Sequence, residues 1–336
     1  MTPRRLYLKE QMKALEAMKS RSLSEEIRLE TRTTLGDKDN LVAAKAAGLA
    51  KHFRLAELFP ELRSAYRRFL INPRKTDKLC LAKEAAIEAL DAMEDPEEEL
   101  FLHAAGYLQF EPAYGGPADT AGPLRIAGCR ALARIGSREL FFVLSDRLAD
   151  LEAEVRSASA QILAGLFDER SELLLRMKVL AGDSHPRVIG DCFRSLMALQ
   201  PQHSFLFVVR YLEVRQAEIA EEAMVALGES RHPQAFPLLS AVFALTADPK
   251  RREALISAIS LLRSEQALHF LLQVVAEEPL QQAQVAVDAL SLYSLREAEM
   301  AQLLATAEGR GSQPLIECCA QVIDRVKDAK AAGGRL

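Results

Sequence analysis

The chain has 336 residues, 49% apolar, 27% charged and 6% aromatic, with 52 Ala, 52 Leu, no Trp and only 30 Gly plus Pro. Ala and Leu favour helices, whereas a β-sandwich or barrel needs β-branched and aromatic strands with frequent turns, so the composition excludes those folds and predicts an all-α protein. The net charge of −4 hides an asymmetry: residues 1–83 hold 19 Lys/Arg and 10 Asp/Glu (+9), and residues 84–336 hold 24 and 37 (−13).

Residues 1–36 read as an N-terminal helical cap. Two amphipathic helices are expected over 4–33, the second opening at the capping box Ser22-Leu-Ser-Glu25. From 37 to 326 a motif of small residues recurs nine times: AAKAAGLA (43–50), AKEAAIEAL (82–90), IAGCRALARIG (126–136), VRSASAQILAGL (155–166), GDCFRSLMAL (190–199), IAEEAMVALGES (219–230), ALISAISLL (254–262), VAVDAL (285–290) and IECCAQVI (316–323). One aligned apolar position per unit is Leu49, Leu90, Leu132, Leu163, Leu196, Leu227, Leu261, Leu290 and Val322. The steps are 41, 42, 31, 33, 31, 34, 29 and 32. Such spacing predicts stacked helix pairs, because one pair cannot bury its apolar stripe alone. Second helices are expected after Ser137, at Asp95-Pro96-Glu97-Glu98 and at the capping box Ser294-Leu-Arg-Glu297; Asp248-Pro249 is a further start. Gly136, Gly182 and Gly228 read as stops. Residues 111–123, EPAYGGPADTAGP, read as the longest irregular connection, and 327–336 as a disordered tail.

Asp150-Leu-Glu-Ala-Glu-Val155-Arg156 followed by an Ala-rich helix resembles a HEAT repeat. Asp183 to Val188 and Asp119 to Ala127 fit less closely. The short period is similar to the bacterial HEAT-like repeats also found in phycobilin lyases. The resemblance covers roughly residues 37–326 and implies an α-solenoid of about nine helix pairs with helical caps. It also implies that Arg125, Arg156 and Arg187, spaced by 31, form a ladder with loop carboxylates such as Asp150 and Asp183.

No catalytic motif emerges. HEAT-like deoxyhypusine hydroxylases hold iron with His-Glu pairs, and none of the six His here precedes Glu. The five Cys include no CxxC pair, and Cys129, Cys192, Cys318 and Cys319 occupy small-residue helix positions. No cofactor or metal site is expected. No window of 18 uninterrupted apolar residues and no signal-like N-terminus occur, so no membrane span and a cytoplasmic location are expected. The function expected is a non-enzymatic protein-binding scaffold presenting a curved surface, with nucleic-acid binding or DNA repair as the alternative and a phycobilin-lyase-like activity behind it. The expected partner is an acidic protein. Candidate partner-binding residues are Arg63, Arg67, Arg68, Arg74 and Lys75, which with Lys78 fall within 16 residues, plus Phe110 and Tyr114 of the Gly/Pro-rich connection.

Overall fold

A computed structural model describes residues 3–333, with side chains described for 10–328. The chain divides into two compact units, Met1–Leu174 and Leu175–Leu336. The first holds α1 (Pro3–Met18), α2 (Glu25–Leu35), α3 (Asn40–Phe53), α4 (Phe59–Arg68), a single turn α5 (Pro73–Thr76), α6 (Leu81–Ala92), α7 (Glu98–Gly106), β1 (Phe110–Ala113), β2 (Gly116–Asp119), α8 (Gly122–Ile135), α9 (Leu140–Arg147) and α10 (Ala153–Ala164). After α11 (Glu169–Ala181), the second holds α12 (Pro186–Leu199), α13 (Pro201–Val209), α14 (Ala217–Ser230), α15 (Ala235–Leu245), α16 (Pro249–Leu261), α17 (Glu265–Glu277), α18 (Leu280–Leu290), α19 (Glu297–Gly309) and α20 (Gln313–Gly333). Apart from one small hairpin, the described residues form helices in an all-α solenoid arrangement.

All nine aligned positions fall on first helices: α3, α6, α8, α10, α12, α14, α16, α18 and α20. Eight are fully buried. The exception is Leu261, which is only half-buried, while Ile259 is fully buried. Ile259 is therefore the true equivalent, and the uneven steps of 34 and 29 become 32 and 31. Successive first helices pack on one another, α3 on α6 and α6 on α8 in the first unit, α12 on α14 and α14 on α16 in the second. Small residues allow the approach. A Cβ on Gly128 would lie 2.5 Å from Ala105 N and 2.9 Å from Phe101 O, so α8 meets the α7 backbone only because that residue is glycine.

Several ends differ from expectation. Gly228 is not a stop: it lies inside α14, against the Ala258 carbonyl of α16, and the helix ends at Arg231 with φ 51°. The cap of α2 is Ser24, whose hydroxyl accepts from Ile27 N, rather than Ser22. Glu299 closes the α19 cap by accepting from Arg296 N at 2.7 Å, two residues later than Ser294-Glu297 would require. Asp248 caps α16 as expected, through Arg251 N at 3.0 Å. Gly136 (φ 67°) and Gly182 (φ 78°) do end helices. Helix α20 continues through residues 327–333 of the expected tail; 334–336 lie outside the described residues.

The sign of the glycine effect is testable. Gly128→Ala should destabilise by about 1–3 kcal/mol through overpacking. Gly48→Ala, inside α3 where an added Cβ meets nothing within 4 Å, should stabilise by up to about 1 kcal/mol. Urea denaturation of both variants checks the pair.

Candidate functional site

The segment after α4 cannot continue as helix, because Asn72-Pro73 and the Asp77 turn interrupt it. Asn72, Leu79 and Cys80 all take the left-handed region, with φ of 51°, 60° and 56°. Side chains with a Cβ avoid that region, and strain of this kind persists only where surrounding contacts over-determine it. Here they do. The Asp77 carboxylate accepts from Ala82 N (2.9 Å), Lys83 N (3.1 Å) and Asn40 Nδ2 (3.1 Å). The Leu79 amide donates to Glu111 Oε1 at 2.7 Å.

Beneath this turn lies a fully buried Lys83. Its ammonium donates to Asp77 Oδ2 (2.9 Å), Gln109 Oε1 (3.0 Å) and the Phe69 carbonyl (3.4 Å). Three donors thus meet three acceptors, the condition for keeping a charge out of water. The Tyr107 ring lies 5.2 Å from the ammonium. Gln109 Nε2 in turn donates to Asp77 O (2.9 Å) and Glu111 Oε1 (2.6 Å), and Thr120 Oγ1 donates to Glu111 Oε1 (3.0 Å).

The 111–123 connection is therefore not irregular. Strands β1 and β2 pair antiparallel in register Phe110↔Asp119 to Ala113↔Gly116, with Tyr114-Gly115 as the turn. Gly115 (φ 94°) and Gly116 (φ 130°) supply the conformations that the turn needs. Pro112 sits opposite Pro117. Two prolines cannot exchange N–H···O bonds, so this is a non-hydrogen-bonded pair whose missing donors would have pointed outward. Both hairpin edges are blunted by it. At the base, Arg125 is fully buried and pairs with Asp119 (2.6 Å) and Asp150 (2.7 Å), while Arg156 Nη1 donates to the Asp150 carbonyl (2.8 Å). The arginine ladder covers those two residues. Arg187 is exposed, and Lys178 holds Asp183 at 2.8 Å.

The hairpin so anchored projects Tyr114, wholly exposed, with Phe110 37% exposed on β1. Beside its base the strained turn exposes Leu79 (55%) and Ile71 (66%), and Arg74, Lys75 and Lys78 are exposed on the same segment.

No family model matches this chain, and no curated protein matches it. Among solved structures it is similar to Kap95p bound to RanGDP, with 15% identity and a TM-score of 0.50 over 96% of this chain and 48% of that one. The fold is HEAT-like. This chain spans about half the length of Kap95p. It also matches the CpcE–CpcF complex of phycocyanin lyase from Nostoc sp. PCC7120 (17% identity, 89% of this chain, 96% of that chain, TM-score 0.36) and a Kap121p mutant (13%, 97% and 41%, TM-score 0.49).

Within this HEAT-like chain the expected basic patch separates into two sets. Arg63 forms a two-point pair with the fully buried Asp95 (2.9 and 2.5 Å) and reaches Glu97 at 2.9 Å. The Asp95 hydrogen bonds hold its pKa above the ordinary arginine value. Arg67 leans on the same Glu97 at 3.7 Å. Arg68 donates to the carbonyls of Leu35 (2.7 Å) and Asp37 (2.9 Å), closing the end of α2. Lys51–Glu88 (3.1 Å) and Arg54–Glu94 (3.8 Å) extend the pattern, so Lys51, Arg54, Arg63 and Arg67 of the +9 segment are matched against the acidic 84–99 stretch. Arg74 and Lys75 form no such pair among the described residues, and they lie on the segment joined to the hairpin base. Ile71 and Leu79 escaped the sequence reading. Their signal was two large apolar residues inside the turn-rich, charged INPRKTDKL.

The other candidates for chemistry lie elsewhere. Burial pushes the thiols of Cys129 and Cys192 up to about 12 and those of Cys80 and Cys319 to about 11, far from a nucleophile's range. Among the described residues no cluster of three or more His, Cys, Asp or Glu could hold a metal ion, and no helix is long and apolar enough to cross a membrane.

Two outcomes follow from the anchor. Lys83→Met should destabilise by about 3–5 kcal/mol, because it strands the buried Asp77 carboxylate; chemical denaturation measures it. Burial opposes ionisation of Glu111, but hydrogen bonds from Gln109, Leu79 N and Thr120 and the nearby Lys78 charge prevail and lower its pKa. A lowered carboxylate contributes stability that is present above its unfolded value of about 4.3 and is lost as pH falls below it. The stability gap between wild type and Glu111→Gln should therefore be widest near neutral pH and shrink below about pH 4.3, as read from melting curves.

Proposed function

We propose that this HEAT-like chain is a non-enzymatic scaffold for protein–protein interaction, with the loop edge of the first unit as the partner-binding surface. The observation that carries the reading is the anchored hairpin. A buried, fully satisfied polar network holds a structure whose tip places an aromatic ring in water. Folding alone does not require that ring: Tyr114 buries nothing. Rigid aromatic side chains on a preformed support are the groups that anchor interfaces at low ordering cost. Of the expected binding residues, Arg74, Lys75, Phe110 and Tyr114 remain available for a partner. Arg63 and Arg68 serve the fold instead, and Arg67 stands at its margin.

Capture from native lysate with tagged wild type, beside the triple variant Arg74→Glu, Lys75→Glu, Tyr114→Ala, tests the reading. A discrete protein should be recovered by wild type and depleted at least about tenfold by the variant, while both proteins melt alike. Equal recovery of every partner by the two proteins would remove this surface.

A further inference from the structure

We propose that the loop edge of the first unit takes an acidic peptide segment in extended conformation, read by side chains rather than by strand addition. The inference rests on the scaffold reading above and adds the chemistry of the partner. Its apolar or aromatic side chains would lie along Tyr114, Phe110 and Leu79, and its carboxylates would meet Arg74, Lys75 and Lys78.

Three observations lead there. The first concerns the backbone. A two-stranded hairpin offers two edges, and an extended segment usually joins such an edge by main-chain hydrogen bonds. Pro112 and Pro117 remove an outward donor from both edges at the same level, which leaves side chains as the means of recognition.

The second concerns charge. Among the described residues, most cations up to 83 are matched within the fold, as with Arg63 to Asp95 and Glu97, Lys51 to Glu88 and Lys83 to Asp77. Arg74 and Lys75 are exposed without such a pair, and Lys78, also exposed, acts on Glu111 only through its field. Among the described residues up to 83, Lys13, Lys38, Arg74, Lys75 and Lys78 are exposed without a carboxylate pair, and three of these five lie on the segment that adjoins the hairpin.

The third concerns Leu79. Its backbone is left-handed and its side chain is 55% exposed. Gly or Asn would hold the same backbone with less strain. An exposed leucine kept there provides apolar surface that neither the core nor the turn uses.

The same features favour a peptide over a nucleic acid. Leu79 is aliphatic and offers no stacking face to a base. Asp37, Asp39 and Glu84 lie on the adjoining loop and helix start, where they would repel a continuous phosphate backbone while leaving room for spaced carboxylates. The four-residue strands put the tip about 13 Å beyond the base, so about four extended residues reach from one contact to the other, and a nine-residue peptide covers both with residues to spare.

The test is fluorescence anisotropy with the full chain and three labelled probes. One is a peptide of about nine residues with Asp or Glu at every second position, Ser between them and a central Phe. The second replaces that Phe by Ser, and the third is a single-stranded thymidine oligomer of similar length. Saturable binding of the first is expected, weaker for the second, and weakened further by raising salt. R74E/K75E, Y114A and L79N should each weaken it at least about tenfold, with unchanged melting curves because these side chains are exposed. No saturable binding of the Phe peptide, indifference to all three variants, or tighter binding of the oligomer would each overturn the proposal. The lysate capture separates this failure from failure of the scaffold reading: a partner lost in the triple variant without peptide binding would leave the surface in place and remove only its acidic ligand.

Discussion

An ammonium taken out of water, that of Lys83, constrains the whole loop edge of the first unit. It tolerates that position only with a carboxylate and further acceptors around it. Asp77 supplies the carboxylate, and in doing so it fixes the turn before α6 and caps that helix through two amides. Gln109 supplies the second acceptor, and its amide then holds Asp77 O and Glu111. Glu111 reaches back to the Leu79 amide and stabilises a backbone that leucine would not otherwise adopt. The hairpin begins where this chain of contacts ends. Arg125 between Asp119 and Asp150 ties its other end to the next helix pair. A rigid protrusion thus grows out of one buried charge.

The same economy of charge runs along the surface. The basic opening segment and the acidic stretch after it fold onto each other, because consecutive helix pairs bring residues about 30–45 apart into register. Arg134 to Asp91 at 2.6 Å continues the pattern. Exposed pairs of this kind add little stability one by one. Their effect is on what remains. In the segment with an excess of 9 positive charges, Arg74 and Lys75 are among the described cations that stand exposed without a carboxylate pair.

How far the sequence could be read depends on whether a feature is local or repeated. The buried apolar positions were legible because a solenoid repeats one packing rule. A single slip, Leu261 for Ile259, left its trace in two uneven steps. Helix starts were legible where one side chain meets its own amide, as at Asp248, and were misplaced where neighbouring residues offer equivalent caps, as with Ser22 and Ser24. Gly228 looked like punctuation but is a contact point, because its reason lies on α16 and not in its own helix. The hairpin was visible as Gly and Pro, not as strands: four-residue strands carrying a proline each have too little alternation to declare themselves.

Composition and period alone determined the fold class, the number of first helices and the buried position on eight of the nine, since every unit must bury the same stripe against its neighbours. Tertiary structure alone decided which charges are paired within the fold and which stand exposed. Arg63 and Arg74 are alike as letters, eleven positions apart. One meets a buried carboxylate brought by the next helix pair, and the other stands on a turn held open by Lys83 and Asp77. Pairing across repeats sets that difference, and it is a property of positions in space.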